Sequence, residues 1–364
     1  MENVLSFLPV IELKGNAKEL GEQLGELTRP EIHELYELRL KSAIKFAREN
    51  GDRIISEEEI LFVARQCLVI TEDYDAVGYD EFLGIARGAQ LSPEKLFVTQ
   101  GLTDLRDVMA FSDNVQSEGC SSFIIDSTRT AQKQLLLGQN WDLQSNNMPY
   151  VRLIHRKPTT NHPESWSLTL TGCLTLIGMN SEGIAVGNTN LKTKDARIGL
   201  QYLSVLHRAL RSRNFEEAVE SISTAPRSAA HYYYLADRHG QAMGLECSAT
   251  KAIPLPLKNG VLIHCNHALH KEIAELEVSE AGSSTCFRQT RLAELIQNAS
   301  SAITVQNLKE MLSDHAGGAD AICRHAENGE DVATNACVIM SPQTGEFHAC
   351  RGQGHMGQWR SVSC

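Results

Sequence analysis

Residues 118–126 read EGCSSFIID, a glycine and a cysteine at the head of a run with the apolar content of a buried strand. A second run, QLLLGQNWDL at 134–143, follows a short polar turn rich in Ser, Thr, Arg and Gln, so the two predict a hairpin. The chain changes character here. Upstream, Leu20, Leu24, Ile32, Leu35, Leu38 and Ile44 recur at helical spacing from Ala17 to about Asn50. Ser56 with Glu59 has capping-box spacing, and Ser92 followed by Pro93 marks another helix start, with Gly84, Gly88 and Gln90 read as the turn between. Residues 8–13 (LPVIEL) predict one short early strand.

Downstream, strands are expected near 150–155, 166–171, 174–178, 183–187, 232–236, 243–247 and 260–264, with helices at 199–212, 214–223, 285–298 and 304–314. A final strand pair falls at 335–341 and 346–351. Helices and strands are segregated, which predicts an α+β fold with antiparallel sheet behind an N-terminal, mostly helical segment. No internal repeat or long linker separates domains.

The chain of 364 residues is 42% hydrophobic and 22% charged, the balance of an ordinary globular protein. Its net charge of −11 argues against nucleic acid or an anionic membrane as partner and favours a small molecule. No apolar run reaches membrane-spanning length. The N-terminal segment has no basic start and is broken by Pro9, Glu12 and Lys14, so it reads as no secretory signal. Ten scattered cysteines without CxxC pairs predict free thiols and a cytoplasmic setting. His264, Cys265, His267 and His270 cluster, but their spacing fits no standard zinc pattern. The reading therefore includes no metal and no cofactor.

A cysteine ahead of a strand is, taken alone, more often a small buried hydrophobe. Gly119 changes that reading: it tolerates strained geometry and leaves its carbonyl open to the neighbouring thiol. Attack would turn the Gly119–Cys120 peptide into a thioester, and water would then release Cys120 as a new amino terminus. An ordinary thiol, with a pKa of about 8.5, needs a base near neutral pH; a free α-amine, at about 7.7–8.0, is such a base. In GQNWD (138–142), hairpin pairing would carry Asp142 back toward Cys120. In HCNH (264–267), Asn266 could aim an amide into a pocket as an oxyanion donor.

These motifs, with LPVIELKGNAKELGEQLGE near the start, FLGIARGAQLSPEKL (82–96), GMNSEGIAVGNTNL (178–191), LECS (245–248), HCNHAL (264–269), SSTCFRQTRL (283–292) and ICRH (322–325), resemble the penicillin acyltransferase family of N-terminal nucleophile hydrolases. The resemblance runs along nearly the whole chain. It implies a four-layer αββα sandwich and a precursor cut into an α-chain of residues 1–119 and a β-chain of 120–364, which remain associated. Carried over by residue, Cys120 is the nucleophile, its α-amine the base, Asp142 an acid residue that helps maturation and orients the site, and Asn266 an oxyanion donor. Arg288 is a supporting residue, with Arg291 nearby as the competing match. Ser228, Asn140, Trp141 and Ser121 are expected to line or support the pocket.

The resulting expectation is a self-cleaving amidohydrolase acting on a small N-acyl amine or N-acyl amino acid. The alternatives are an acyl-coenzyme A-dependent N-acyltransferase and an uncleaved, silent ligand-binding homologue. A bile-salt or penicillin V type hydrolase fits less well, because those relatives carry the cysteine near the start of the chain. Homo-oligomers of αβ units are left open. Tyr232–Tyr234, His231, His315 and His325 are read as packing or ordinary hydrogen-bonded residues, and Asp314 with Asp320 as a helix end and polar loop.

Overall fold

The computed structural model describes residues 7–51, 54–109, 119–278, 284–299, 302–326 and 331–364; Glu118 and Ser283, which belong to two of the stretches above, lie outside them. The first part contributes β1 (Val10–Gly15) and six helices: α1 (Ala17–Leu27), α2 (Arg29–Gly51), α3 (Glu57–Tyr74), α4 (Ala76–Ala89), α5 (Pro93–Gln100) and α6 (Leu102–Val108). Asn16 with Glu19 and Ser56 with Glu59 form capping boxes at the starts of α1 and α3. The Ser92 hydroxyl caps α5, whose first residue is Pro93.

From Cys120 onward the chain is mostly strand. β2 (Cys120–Ile125), β3 (Leu136–Gln144), β4 (Val151–Pro158), β5 (Ser165–Leu170), β6 (Ile177–Asn180) and β7 (Ala185–Asn190) come first. Helices α7 (Tyr202–Ala209) and α8 (Phe215–Ser223) precede β8 (His231–Ala236), β9 (Ala242–Cys247), β10 (Ala252–Leu255) and β11 (Val261–His264). After α9 (Lys271–Ala274), α10 (Thr285–Gln297) and α11 (Val305–Leu312), the chain ends in β12 (Val332–Ser341), β13 (Glu346–Arg351) and β14 (Arg360–Ser363).

The strands form two sheets. One has eight strands in the order β1-β4-β5-β6-β7-β8-β9-β10, the other six in the order β11-β2-β3-β12-β13-β14. Among the described residues every pair of these strands is antiparallel except β1 with β4, which run parallel from Val10↔Leu153 to Gly15↔Pro158. That one parallel pair was not legible in the strand pattern, because it joins segments more than a hundred residues apart in sequence.

Three sets of buried side chains define four layers. Val205, Leu206 and Ala209 of α7 and Ala218 and Ile222 of α8 pack on Val186, Tyr233, Leu235 and Leu245 of the larger sheet. Leu292 and Ile296 of α10 and Leu308 and Leu312 of α11 pack on Phe123, Ile125, Cys337 and Ile339 of the smaller. Between the sheets, Ile124, Leu137, Leu168, Tyr232, Tyr234 and Val338 belong to one core, which continues into the N-terminal helices through Leu20, Leu24 and Phe82. The tyrosine run follows strand alternation: Tyr232 and Tyr234 face this core and Tyr233 faces the α7–α8 layer. The architecture is the αββα sandwich.

The turn expected at Gly84 and Gly88 is instead the interior of α4; only Gln90, with left-handed φ of 55°, ends it. The glycines serve packing. A Cβ on Gly84 would sit 2.3 Å from the Lys18 carbonyl oxygen, and one on Gly21 would sit 2.0 Å from that of Glu81. Thus α1 and α4 meet backbone to backbone. At an exposed helical site Gly→Ala gains about 1 kcal/mol of helix propensity. Here overpacking dominates, so Gly21→Ala and Gly84→Ala should each lower unfolding stability by about 1–3 kcal/mol in denaturant titrations; unchanged or raised stability would refute the close approach.

Candidate active site

The β2–β3 hairpin places the glycine–cysteine junction. Cys120 opposes Trp141, Ser121 opposes Asn140 and Ser122 opposes Gln139. The ladder continues one residue past the strand, where Asp142 N–H donates to the Gly119 carbonyl oxygen at 2.8 Å. The carbonyl of the Gly119–Cys120 bond is thereby polarised by a backbone donor. On the other side of the bond, the Cys120 N–H donates to Asn266 Oδ1 at 2.8 Å. Both atoms of this amide are held by separate partners.

Space around Gly119 is tight and is bounded by side-chain ends. Its backbone is not left-handed, so the strain expected from sequence is not what selects it. A Cβ at this position would lie 3.0 Å from Arg324 Nη1, 3.1 Å from Asp142 Oδ2 and 3.4 Å from Arg288 Cζ. A side chain here would press on two guanidinium groups and a carboxylate, which would have to give way by a few tenths of an ångström.

Arg288, on the first turns of α10, is completely buried. Its guanidinium donates to the Cys120 carbonyl oxygen at 2.5 Å, to Ser121 Oγ at 3.2 Å and to Asn266 Oδ1 at 2.9 Å, while Nε donates to Ser284 Oγ at 3.0 Å. Arg291 instead pairs with Asp314, with Nη2 2.7 Å from Oδ2, at the protein surface. The geometry thus separates the two arginines that sequence left open.

Asn266 is oriented by its own hydrogen bonds. Its Oδ1 accepts from Cys120 and Arg288, so its NH2 is turned to the Asn190 carbonyl at 3.0 Å, and its backbone N–H donates to Thr285 Oγ1 at 2.7 Å. Here this side chain is an acceptor for the Cys120 nitrogen, whereas sequence suggested a donor to an oxyanion.

Asp142 is fully buried. Its Oδ1 accepts the Thr334 hydroxyl at 2.8 Å, and Oδ2 has no hydrogen-bond partner. Burial pushes its carboxyl up to about 6, against the pull of Arg288, Arg324 and the Thr334 hydroxyl. Its charge therefore changes close to neutral pH.

Ser121 accepts from Arg288, and Trp141 packs in the intersheet core with Cys120. The other expected residues lie elsewhere. Asn140 donates to the carbonyls of Leu312 and Ile322, at 2.7 and 2.9 Å, and so ties β3 to the α11 layer. Ser228 Oγ lies 2.9 Å from Asp104 Oδ2 and 2.6 Å from the Leu200 carbonyl oxygen, and its single proton serves these two acceptors. His231 Nε2 meets the other oxygen of Asp104 at 2.7 Å, so this group anchors α6 to the sheet. His264 is committed to Glu246 at 2.8 Å and stacked on Tyr232. Arg324, Thr334 and Gln139 had not been singled out by sequence. Gln139 Oε1 accepts from Tyr234 OH at 2.8 Å and from Asn188 N–H at 3.2 Å, linking the two sheets beneath the cysteine. The only sequence signal for Arg324 was its place in ICRH.

The family model described as acyl-coenzyme A:6-aminopenicillanic acid acyl-transferase matches residues 128–355, well over half of the chain and beginning just beyond Cys120. No curated protein matches significantly. Among solved structures, a mutant of conjugated bile acid hydrolase from Clostridium perfringens is 13% identical, with 67% of this chain and 92% of that one aligned at a TM-score of 0.45. An N-acylethanolamine-hydrolyzing acid amidase ortholog from Caenorhabditis elegans is 14% identical, over 62% and 93% of the two chains, at 0.44. Penicillin V acylase from Agrobacterium tumefaciens is 12% identical, over 67% and 86%, at 0.45.

Only an ionised carboxylate can accept a proton at the junction, directly or through one water. If Asp142 does so, precursor cleavage should rise with pH and level off above about 6. Asp142→Asn should slow cleavage by at least about 100-fold and remove the step; a rate independent of pH between 5 and 7 in the unmutated chain would overturn this. The same shift makes ionised Asp142 a cost to folding. Its stabilising contribution is complete below the ordinary value of 3.8 and is lost as pH rises through about 6.

Proposed function

The chain belongs to the acyl-coenzyme A:6-aminopenicillanic acid acyl-transferase family, and on that premise we propose a self-cleaving enzyme whose nucleophile is Cys120 and which hydrolyses a small N-acyl amine or N-acyl amino acid. The observation that carries this reading is the doubly held Gly119–Cys120 amide, with its oxygen on Asp142 N–H and its nitrogen on Asn266 Oδ1. An ordinary hairpin needs neither the buried Arg288 nor a carboxylate at this amide.

In maturation, Cys120 Sγ adds to the Gly119 carbonyl carbon and loses its proton toward the Asp142 carboxylate. Asp142 N–H supports the charge that develops on the Gly119 oxygen. The C–N bond then breaks, the Cys120 nitrogen gains a proton, and Gly119 is left as a thioester on Sγ. Water hydrolyses it to a Gly119 carboxylate and a free thiol. The new α-amine stays beside Asn266 Oδ1, which orients it as the base for turnover.

Turnover repeats the chemistry on an external amide. Sγ attacks the acyl carbonyl, the amine leaves with the proton taken from the thiol, and water releases the acid. Arg288 supplies a fixed positive charge and, through the Cys120 carbonyl, holds the nucleophile in register. Transfer to an amine in place of water requires a second bound substrate and water exclusion. No basic cluster suited to a coenzyme A phosphate was found in the sequence, which favours hydrolysis.

Several contacts support retention of the α-chain after cleavage. β1 remains hydrogen-bonded to β4, and Glu81 of α4 is buried against Arg156 at 2.8 Å and His207 at 3.2 Å. Burial would raise the Glu81 carboxyl, but Arg156 and His207 outweigh it and hold it far below the usual carboxylate range. Separating the chains would strand the Glu81 carboxylate and the Arg156 guanidinium.

Denaturing mass measurement of freshly purified protein should give two chains, the larger beginning at Cys120, that co-elute under native conditions. Cys120→Ala should give one uncut chain of 40.2 kDa without amidase activity. Cys120→Ser should cleave slowly and turn over poorly. An uncut but active wild-type chain, or a fully active Cys120→Ala, would end this account. Acid release from N-acyl amino acids, compared with acyl transfer from acyl-coenzyme A to an added amine, separates hydrolase from transferase.

A further inference from the structure

We propose that His315, His325 and His355 form a binding site for a divalent transition-metal ion such as Zn²⁺. One ring nitrogen from each lies within 4.8 Å of those of the other two. The ring centroids are 5.2–6.1 Å apart, with interplanar angles of 40°, 51° and 88°, so the rings converge and do not stack. Tetrahedral ligands about 2.0–2.1 Å from zinc lie about 3.3 Å from one another, so the nitrogens need to close by only about 1–1.5 Å.

The ring orientations suit ligation. His315 Nδ1 faces the Ser313 carbonyl at 3.2 Å, and His355 Nδ1 faces Cys323 Sγ at 3.7 Å. When one imidazole nitrogen donates its N–H to a protein group, the other is left unprotonated for the metal; such outer partners accompany most histidine ligands. The Nδ1–H tautomer, donating to the Ser313 carbonyl from His315 and to Cys323 Sγ from His355, would leave Nε2 of each residue to the ion. Three imidazoles without a carboxylate select zinc, cobalt, nickel or copper over calcium or magnesium. Two of the three side chains are exposed and the third is half-buried, so ions and solvent can reach the site.

The three ligands come from three separate segments: the turn after α11, the stretch leading to β12, and the loop between β13 and β14. Already, Gln353 Nε2 donates to the Arg324 carbonyl and Cys323 N–H to the Asp314 carbonyl. An ion would staple these segments together. His325 directly follows Arg324, whose Nη1 crowds Gly119, so the staple would also steady one wall of the cleavage junction. Its ligands are far in sequence from the cluster at His264–His270. There, His264 is bound to Glu246, His267 faces Thr285 and His270 caps α9.

The test uses the full-length Cys120→Ala chain, because a mature N-terminal cysteine offers an amine and a thiol that chelate zinc by themselves. Calorimetric titration with Zn²⁺ should show one equivalent bound, a raised thermal unfolding midpoint, and Co²⁺ replacement giving the visible bands of a nitrogen-ligated ion. Adding His315→Ala or His355→Ala should weaken binding by more than the about 10- to 100-fold typical of a lost outer partner, and remove the thermal shift. Adding His270→Ala should leave both intact. No zinc uptake by the Cys120→Ala chain, equal uptake after loss of His315 or His355, or loss of uptake with His270→Ala alone would each overturn the proposal. The Co²⁺ spectrum of the unmutated histidine set decides the matter if a variant fails to fold: bands without nitrogen ligation refute it.

Discussion

The pairing of β2 with β3, carried one residue beyond the strand by the hydrogen bond from Asp142 N–H to the Gly119 carbonyl, is the constraint on which the site depends. Because strand register is discrete, a slip by one residue would turn Cys120 out of the intersheet core and move Asp142 away from the junction. The register is held from both sides. Phe123 and Ile125 are committed to the α10–α11 layer, Ile124 to the opposite core, and β12 pairs along β3 with Thr334 facing Asp142. The helix layer then brings in Arg288, and the loop before β12 brings in Arg324.

Two buried carboxylates show how the same chemistry takes different roles. Glu81 meets Arg156 and His207 directly, at 2.8 and 3.2 Å, and these contacts overcome the cost of burial. It is a structural tie between the N-terminal helices and the sheet. Asp142 receives one hydroxyl and leaves Oδ2 without a hydrogen bond, while Arg288 directs its donors to the Cys120 carbonyl and Asn266. Burial therefore wins at Asp142 and its carboxyl is held near 6. A group poised in this way, next to an amide held at both ends, is suited to proton transfer more than to stability.

The N-terminal segment contributes more than helices. Its β1 completes the edge of the larger sheet, its α1 and α4 touch backbone to backbone through glycines, and Asp104 of α6 collects Ser228, His231 and the Tyr202 N–H. Side chains on both sides of the Gly119–Cys120 bond thus belong to one core. These connections between the two parts are noncovalent and buried, and none of them passes through that bond.

By itself the sequence determined the α+β class, most helix and strand positions, the helix caps at Ser56 and Ser92, and the hairpin that sets Asp142 beside the glycine–cysteine junction. Those features are local: strand alternation, helical spacing, capping pairs and a hairpin short enough to predict its own pairing. What only the tertiary structure decided is everything that depends on distant segments meeting. Gly84 and Gly88 looked like a turn because glycine is a turn residue, yet the approach of α1 makes them helical. Arg288 separates from Arg291 because only one faces the end of β2. Asn140 and Ser228 are drawn to helix ends and to Asp104, and Arg324 and Thr334 reach the junction from about two hundred residues away. Loop-closing contacts of that range carry no periodicity along the chain, so their partners are set by packing and by where each buried polar atom finds a hydrogen bond.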